Sequence, residues 1–258
     1  MPQHPTGSHI EPGNSLVSGA SPLPAPEQKH DYVRALFDGI APRYDLLNSL
    51  LSARLHHGWR RFAAKLASLK PGDSALDVCT GTGDLAFELA NHVGQSGSVV
   101  GTDFSAQMLV FGEKKRTERQ LSQVRLIEAD TQTLPFADNS FDAATVAFGI
   151  RNVADRARGF AEMTRVVRSG GRVVVLEFNQ PRHPLLAPLY RWYSFRVLPW
   201  VGGLVSGRRM AYAYLPASVA AFPSREELAG EMQAAGLTDV RFYDLTGGIV
   251  VAHIGIKP

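Results

Sequence analysis

Asp77-Val78-Cys79-Thr80-Gly81-Thr82-Gly83-Asp84 decides the reading of this 258-residue chain. The apolar run Ala75-Leu76-Asp77-Val78 leads into it and an amphipathic stretch over residues 83–93 follows, so it reads as strand, glycine turn and helix. Glycines 81 and 83 let the backbone approach a ligand where a Cβ would clash. Asp103 ends the next apolar run, Val99-Val100-Gly101-Thr102-Asp103, 20 residues after Gly83. A carboxylate there can accept both hydroxyls of a ribose. Asp130 follows the third run, Val124-Arg125-Leu126-Ile127, and can hold an adenine amino group. Three acids at three successive strand ends converge on the crevice where an open α/β sheet binds its ligand.

Outward from this core the alternation continues. Residues 141–146 and 172–176 read as further strands, and residues 105–119, 155–168 and 224–235 as helices. Five strands separated by helices imply a parallel sheet with right-handed crossovers. Residues 240–244 and 249–253 are joined only by Leu245-Thr246-Gly247-Gly248, too short for a crossover, so they form an antiparallel hairpin. The first 29 residues read as a disordered tail, with prolines at 2, 5, 12, 22, 24 and 26 among Gly, Ser and Asn. Residues 30–258 form one domain, with a helical cap over 30–70 and a lid insertion over 184–210.

Hydrophobic residues make up 45% and charged residues 20%, enough for one core. A net charge of +3 is too small to indicate nucleic acid. Cys79 is the single cysteine, which suits a reducing, cytoplasmic setting. No run reaches the roughly 18 apolar residues of a membrane span. No metal cluster stands at ligand spacing, because His56 and His57 should leave a helix in different directions.

Gly81-Thr82-Gly83-Asp84-Leu85-Ala86 also satisfies the dinucleotide pattern G-x-G-x-x-A. Asp77 is poor company for a pyrophosphate, but suits the cationic methionine portion of S-adenosylmethionine. The closing hairpin is foreign to an all-parallel dinucleotide fold. These two features favour a methyltransferase.

Tyr44-Asp45-Leu46-Leu47-Asn48, with Leu51-Ser52 and His56-His57-Gly58-Trp59-Arg60, resembles the N-terminal signature of the ubiquinone/menaquinone-biosynthesis C-methyltransferases. Arg165 to Phe178 resembles their second signature, and Phe148-Gly149-Ile150-Arg151-Asn152-Val153 another block. Leu47, Ala147 and Ser169 depart from the usual methionine, serine and proline. The resemblance implies an α/β, Rossmann-like class I methyltransferase fold with seven strands, the last antiparallel. It implies S-adenosylmethionine contacts at Thr82, Asp103, Asp130, Thr131 and the backbone of Ala147, beside Asp77, Gly81 and Gly83 read above. It also implies a polyprenyl quinol substrate, demethylmenaquinol above the ubiquinone precursor. The residues leave room for peripheral membrane contact, for a homodimer and for a non-catalytic scaffold of the same fold.

A quinol needs little chemical help, since deprotonating a ring hydroxyl makes the neighbouring carbon nucleophilic. Arg151 can stabilise the phenolate as a fixed cation and Asn152 can hold the second oxygen. Alternatively, Arg151 pairs with Asp155, four residues on. Asp45, Tyr44 or a water remain open as proton acceptor. Cys79, beside the glycines, reads as a small buried filler rather than a nucleophile.

Overall fold

The apolar runs become strands β1 (Ser74–Val78), β2 (Ser98–Asp103), β3 (Val124–Glu128), β4 (Phe141–Ala147), β5 (Val167–Phe178), β6 (Thr238–Leu245) and β7 (Val250–Ile256). This is a computed structural model, described over residues 23–197, 200 and 209–258. The strands form one sheet in the order β3-β2-β1-β4-β5-β7-β6. β1 to β5 pair in parallel, and β7 runs antiparallel to both β5 and β6. The hairpin expected from the short 245–248 connection is therefore present, its turn kinked at Gly247, where φ is +68°.

Helices cover both faces, which is why β1 is buried from Ala75 to Val78 without polar alternation. On one face α3 (Leu55–Ala67) and α4 (Asp84–Val93) pack Trp59, Ala63, Phe87 and Leu89 over Val99 and Val174. On the other, α6 (Arg156–Val166) and a helix over Arg225–Ala234 pack Phe160, Met163, Leu228 and Met232 against Leu76, Val146 and Val175. Fully burying each such side chain contributes about 1.5–3 kcal/mol. α5 (Ala106–Glu118) starts where the Ser105 hydroxyl accepts the Met108 amide N–H.

The helical cap is α1 (Lys29–Ile40), a 3-10 turn at Ala41–Arg43 and α2 (Tyr44–Leu51), leading into α3. It is tied to the strand ends. Lys29 Nζ donates to Val153 O at 2.9 Å, and the Arg34 guanidinium donates to Phe104 O at 2.6 Å. The Ser105 hydroxyl donates to Asp38. Leu47 is buried with Leu51, Tyr193 and Leu215 around it, so leucine fills the place where methionine is usual.

Beyond β5, α7 (Leu186–Trp192) runs into a π-helical turn at Tyr193–Val197, and α8 (Arg209–Ala220) precedes α9 (Arg225–Ala234). Of the expected lid over 184–210, residues 198–199 and 201–208 lie outside the described residues, as do residues 1–22 of the expected tail over 1–29. The end of that tail is ordered, with a 3-10 turn at Pro26–Gln28 and Lys29 opening α1.

Candidate functional site

β1 is flanked by β2 on one side and β4 on the other, so the loops leaving its C-terminal end and theirs part to form a crevice. Gly81, Asp103, Asp130, Thr131, Ala147 and Asn152 line it, with Tyr44 and Phe37 reaching over from the cap. Asp103 accepts the Gly81 N–H at 2.8 Å on one oxygen and the Ser105 N–H at 2.9 Å on the other. Each oxygen keeps a lone pair for a further donor. Burial pushes the Asp103 carboxyl up to about 6, against the pull of those backbone bonds. Asp130 is held by Gln132, whose backbone N–H donates at 2.9 Å and whose side-chain amide donates at 3.0 Å.

The set fits a purine nucleoside carrying a sulfonium side chain. Two aimed carboxylates face apolar Phe37, Phe104 and Met108 across the crevice. A Cβ on Gly149 would lie 2.3 Å from that of Cys79, so hydrogen alone is tolerated where the β4 loop meets the β1 loop. S-adenosylmethionine would be held by Gly81, Asp103, Asp130 and Thr131, and when bound supplies an electrophilic methyl. Cys79 lines the same wall, 3.3 Å from the Thr131 hydroxyl, and is half-buried rather than sealed away. Burial and Asp103 push its thiol well above the usual range, so it is no thiolate nucleophile.

Four expected site residues point elsewhere. Asp77 is 1% exposed and lies beneath the glycine turn, not on the crevice wall. Its oxygens accept the hydroxyls of Thr80 at 2.6 Å and Thr145 at 2.8 Å, so it braces the turn. Gly83 serves packing instead of ligand approach: its φ is +85° and a Cβ would fall 2.6 Å from the Phe87 ring. Thr82 donates to Asp45 at 2.6 Å. Lys115 then joins Asp45 at 2.8 Å, Thr82 at 3.0 Å and Asp84 at 2.6 Å in one node linking α2, the glycine turn, α4 and α5. Asp45 is thus an ion-pair partner that lines neither cavity. Lys115 lies 70 residues from Asp45, too far along the chain for a local pattern to show.

A second cavity of about 400 Å³ opens beneath the cap, walled by α1 to α3, α7 with its π turn, and α8. Its walls are mostly apolar, among them Leu51, Leu55, Trp59, Phe148 and Phe178. Tyr44 lines both cavities and marks their junction. Burial raises the Tyr44 phenol above its ordinary value, although Arg60 and Arg151 pull the other way.

Arg151 lies in this second cavity and is buried. It donates to Glu177 Oε1 at 2.6 Å and to the Phe148 carbonyl, with its guanidinium over the Phe178 ring. The partner is therefore Glu177, not Asp155. Residues 150–152 form a 3-10 turn and Val153 is extended, so no continuous helix sets 151 and 155 on one face. Asp155 instead caps α6, accepting the Arg158 N–H at 3.0 Å. Burial raises the Glu177 carboxyl, with Arg151 opposing. Asn152 is on the crevice side, its side-chain oxygen accepting the Tyr214 hydroxyl at 3.1 Å.

His56 and Arg60 also line the second cavity, and the sequence reading gave neither a role. Both stand in the stretch that carries the N-terminal signature. The rings of His56 and His57 do not diverge as expected: their centroids are 3.9 Å apart, since each imidazole reaches far enough past its Cβ to meet the other. Among the described residues no group of three or more His, Cys, Asp or Glu side chains could hold a metal ion.

Solved structures share this architecture. A SAM-dependent methyltransferase of Thermotoga maritima superposes with a TM-score of 0.61 at 20% identity, over 87% of this chain and 99% of that one. One from Aquifex aeolicus gives 0.57 at 19% identity, over 77% and 89%. With the antiparallel last strand, they identify the class I methyltransferase fold. Closer in sequence is the ubiquinone/menaquinone biosynthesis C-methyltransferase UbiE of Citrifermentans bemidjiense, 48% identical over 89% of this chain and 98% of its own length. Its namesake in Cellvibrio japonicus is 41% identical over 90% and 94%. The ubiE/COQ5 methyltransferase family pattern matches residues 25–257. The chain therefore belongs to the ubiE/COQ5 methyltransferase family, as a C-methyltransferase whose cofactor is S-adenosylmethionine.

Proposed function

We propose that the protein methylates a ring carbon of demethylmenaquinol, giving menaquinol. The observation that carries this reading is the junction at Tyr44, where a nucleotide crevice meets an apolar cavity holding the buried Arg151 guanidinium. About 400 Å³ is ample for a bicyclic head group and the start of a prenyl chain. Arg151, fixed by Glu177, stabilises the oxygen anion that makes the ring carbon nucleophilic. A dry, apolar wall favours the neutralisation of that anion by a sulfonium. The relatives are named for both quinones, so the head group rests on narrower support. Thr246 lines the cavity and accepts the Trp59 indole N–H at 2.9 Å. The stretch it opens, Thr246-Gly247-Gly248, resembles menaquinone-only members, as does Ala221-Phe222-Pro223.

Incubation with labelled S-adenosylmethionine and a panel of naphthoquinols and benzoquinols, followed by product mass, tests this. A methylated naphthoquinol is expected. Product from the benzoquinol alone overturns the head-group assignment, and no product from either overturns the quinol reading.

Leu185, Leu189, Trp192, Phe195 and Trp200 are exposed on and around α7, interleaved with Arg191 and Arg196. No helix among the described residues is long and apolar enough to cross a membrane. We propose that this face rests on an anionic bilayer, from which a polyprenyl quinol is drawn. Flotation with anionic but not neutral vesicles is expected, and the pair Trp192→Ser and Phe195→Ser should abolish it.

A further inference from the structure

Quinol chemistry requires a proton acceptor, and the structure narrows the field. Asp45 is held by Lys115 outside the cavity, and Tyr44 carries a phenol that burial keeps protonated. His56 is buried in the cavity wall. The Ser52 hydroxyl lies 2.6 Å from the Asn48 carbonyl and 2.7 Å from His56 Nδ1. A carbonyl cannot donate, so the single serine hydrogen goes to Asn48 and Nδ1–H must donate to Ser52. That chain fixes the tautomer and leaves Nε2 as a lone-pair acceptor.

We propose that His56 is the catalytic base, its Nε2 taking the proton from the quinol hydroxyl whose neighbouring carbon is methylated. The assignment rests on the quinol reading given above. The hydroxyl O–H bond breaks and an Nε2–H bond forms. The ring carbon then bonds to the methyl carbon while the carbon–sulfur pair stays on sulfur, leaving a neutral thioether. Loss of the ring C–H proton to solvent restores aromaticity, and His56 returns its proton to the oxygen. One proton is released per methyl transferred.

Several charges face this ring. Arg60 and His57 stand on its own helix, Asp84 on α4, and Asp45 and Tyr44 on α2. Arg151 and the hydroxyls of Tyr190, Tyr193 and Tyr214 belong to the remaining cavity wall. Burial, then Arg60 and His57, pull the imidazole down to about 4, so it is neutral and able to accept at physiological pH. The same positive field acidifies a phenol beside Arg151. That lowering of the donor offsets part of the loss of basicity that burial and Arg60 impose on the acceptor.

His56→Asn keeps a donor near Ser52 and removes Nε2. It is expected to retain cofactor affinity and melting temperature while turnover falls by about 100-fold or more, the range of general-base catalysis. Turnover of this variant should recover as pH rises and the quinol ionises unaided. Nitrogen NMR of the wild-type ring, without substrate, should show the proton on Nδ1. A stable His56→Asn enzyme with wild-type turnover and pH profile overturns the assignment, as does a proton found on Nε2. Wild-type protein inactive on every quinol instead overturns the substrate reading on which the base depends.

Discussion

Arg151 and Glu177 form a buried ion pair in which each partner makes the other tolerable. Removing one leaves an uncompensated charge, whereas replacing both by apolar groups is often neutral. Arg151→Leu is therefore expected to lower turnover about ten- to a thousand-fold, roughly 1.4–4 kcal/mol of transition-state stabilisation, and to lower the melting temperature as well. The double variant Arg151→Met, Glu177→Leu should regain the melting temperature but not the turnover. Recovery of both would remove Arg151 from the chemistry. Asp103 makes a pH prediction. Its carboxyl titrates near 6 in the fold against 3.8 ordinarily, so its charged form is disfavoured on folding. Its contribution to stability accordingly declines as pH rises from about 4 to about 6. Ribose hydroxyls need the charged form, so cofactor affinity should be highest above about 6 and weaken below it. Calorimetry from pH 5 to 8 checks this, and Asp103→Asn should flatten the dependence. Sequence position put Asp103 and Asp130 at the crevice because strand ends converge wherever the sheet is open. It could not reveal that Asp77, Thr82 and Asp45 are consumed by Thr80, Thr145 and Lys115, because those partners are remote in sequence or hidden by the turn.

Among the elements, the strands were the most legible, since each apolar run of five or so residues between turn signals had one sensible conformation. The cap was less so. Its mixed spacing gave helices without saying where they lay, because the ties that place α1, Lys29 to Val153, Arg34 to Phe104 and Asp38 to Ser105, join residues far apart along the chain. Those ties set how readily the crevice opens. His30 and Phe37 of α1 line it, while Arg34 and Asp38 anchor the helix to Phe104 and Ser105. Arg34→Ala combined with Asp38→Ala should speed both entry and departure of S-adenosylmethionine in stopped-flow measurements, with a small change in melting temperature. Unchanged rates would mean the cofactor enters by another route.

For the molecule as a whole, two apolar cores against the two faces of one sheet carry the stability. Phe160→Ala should cost about 3–5 kcal/mol in chemical denaturation. Deleting residues 1–22, which are poor in apolar side chains, should leave melting temperature and turnover within error. A marked loss would show that the segment docks on the domain. The Lys115 node has a wider consequence. It fastens the helix that carries Tyr44 and Asn48 to the turn that carries Gly81, so whatever steadies one steadies the other. Thermodynamic linkage then demands reciprocity: a factor by which cofactor tightens quinol is the factor by which quinol tightens cofactor. Lys115→Met should shrink that factor towards one in a four-cornered binding cycle with S-adenosylhomocysteine and an unreactive quinone. The two ligands would then bind as strangers.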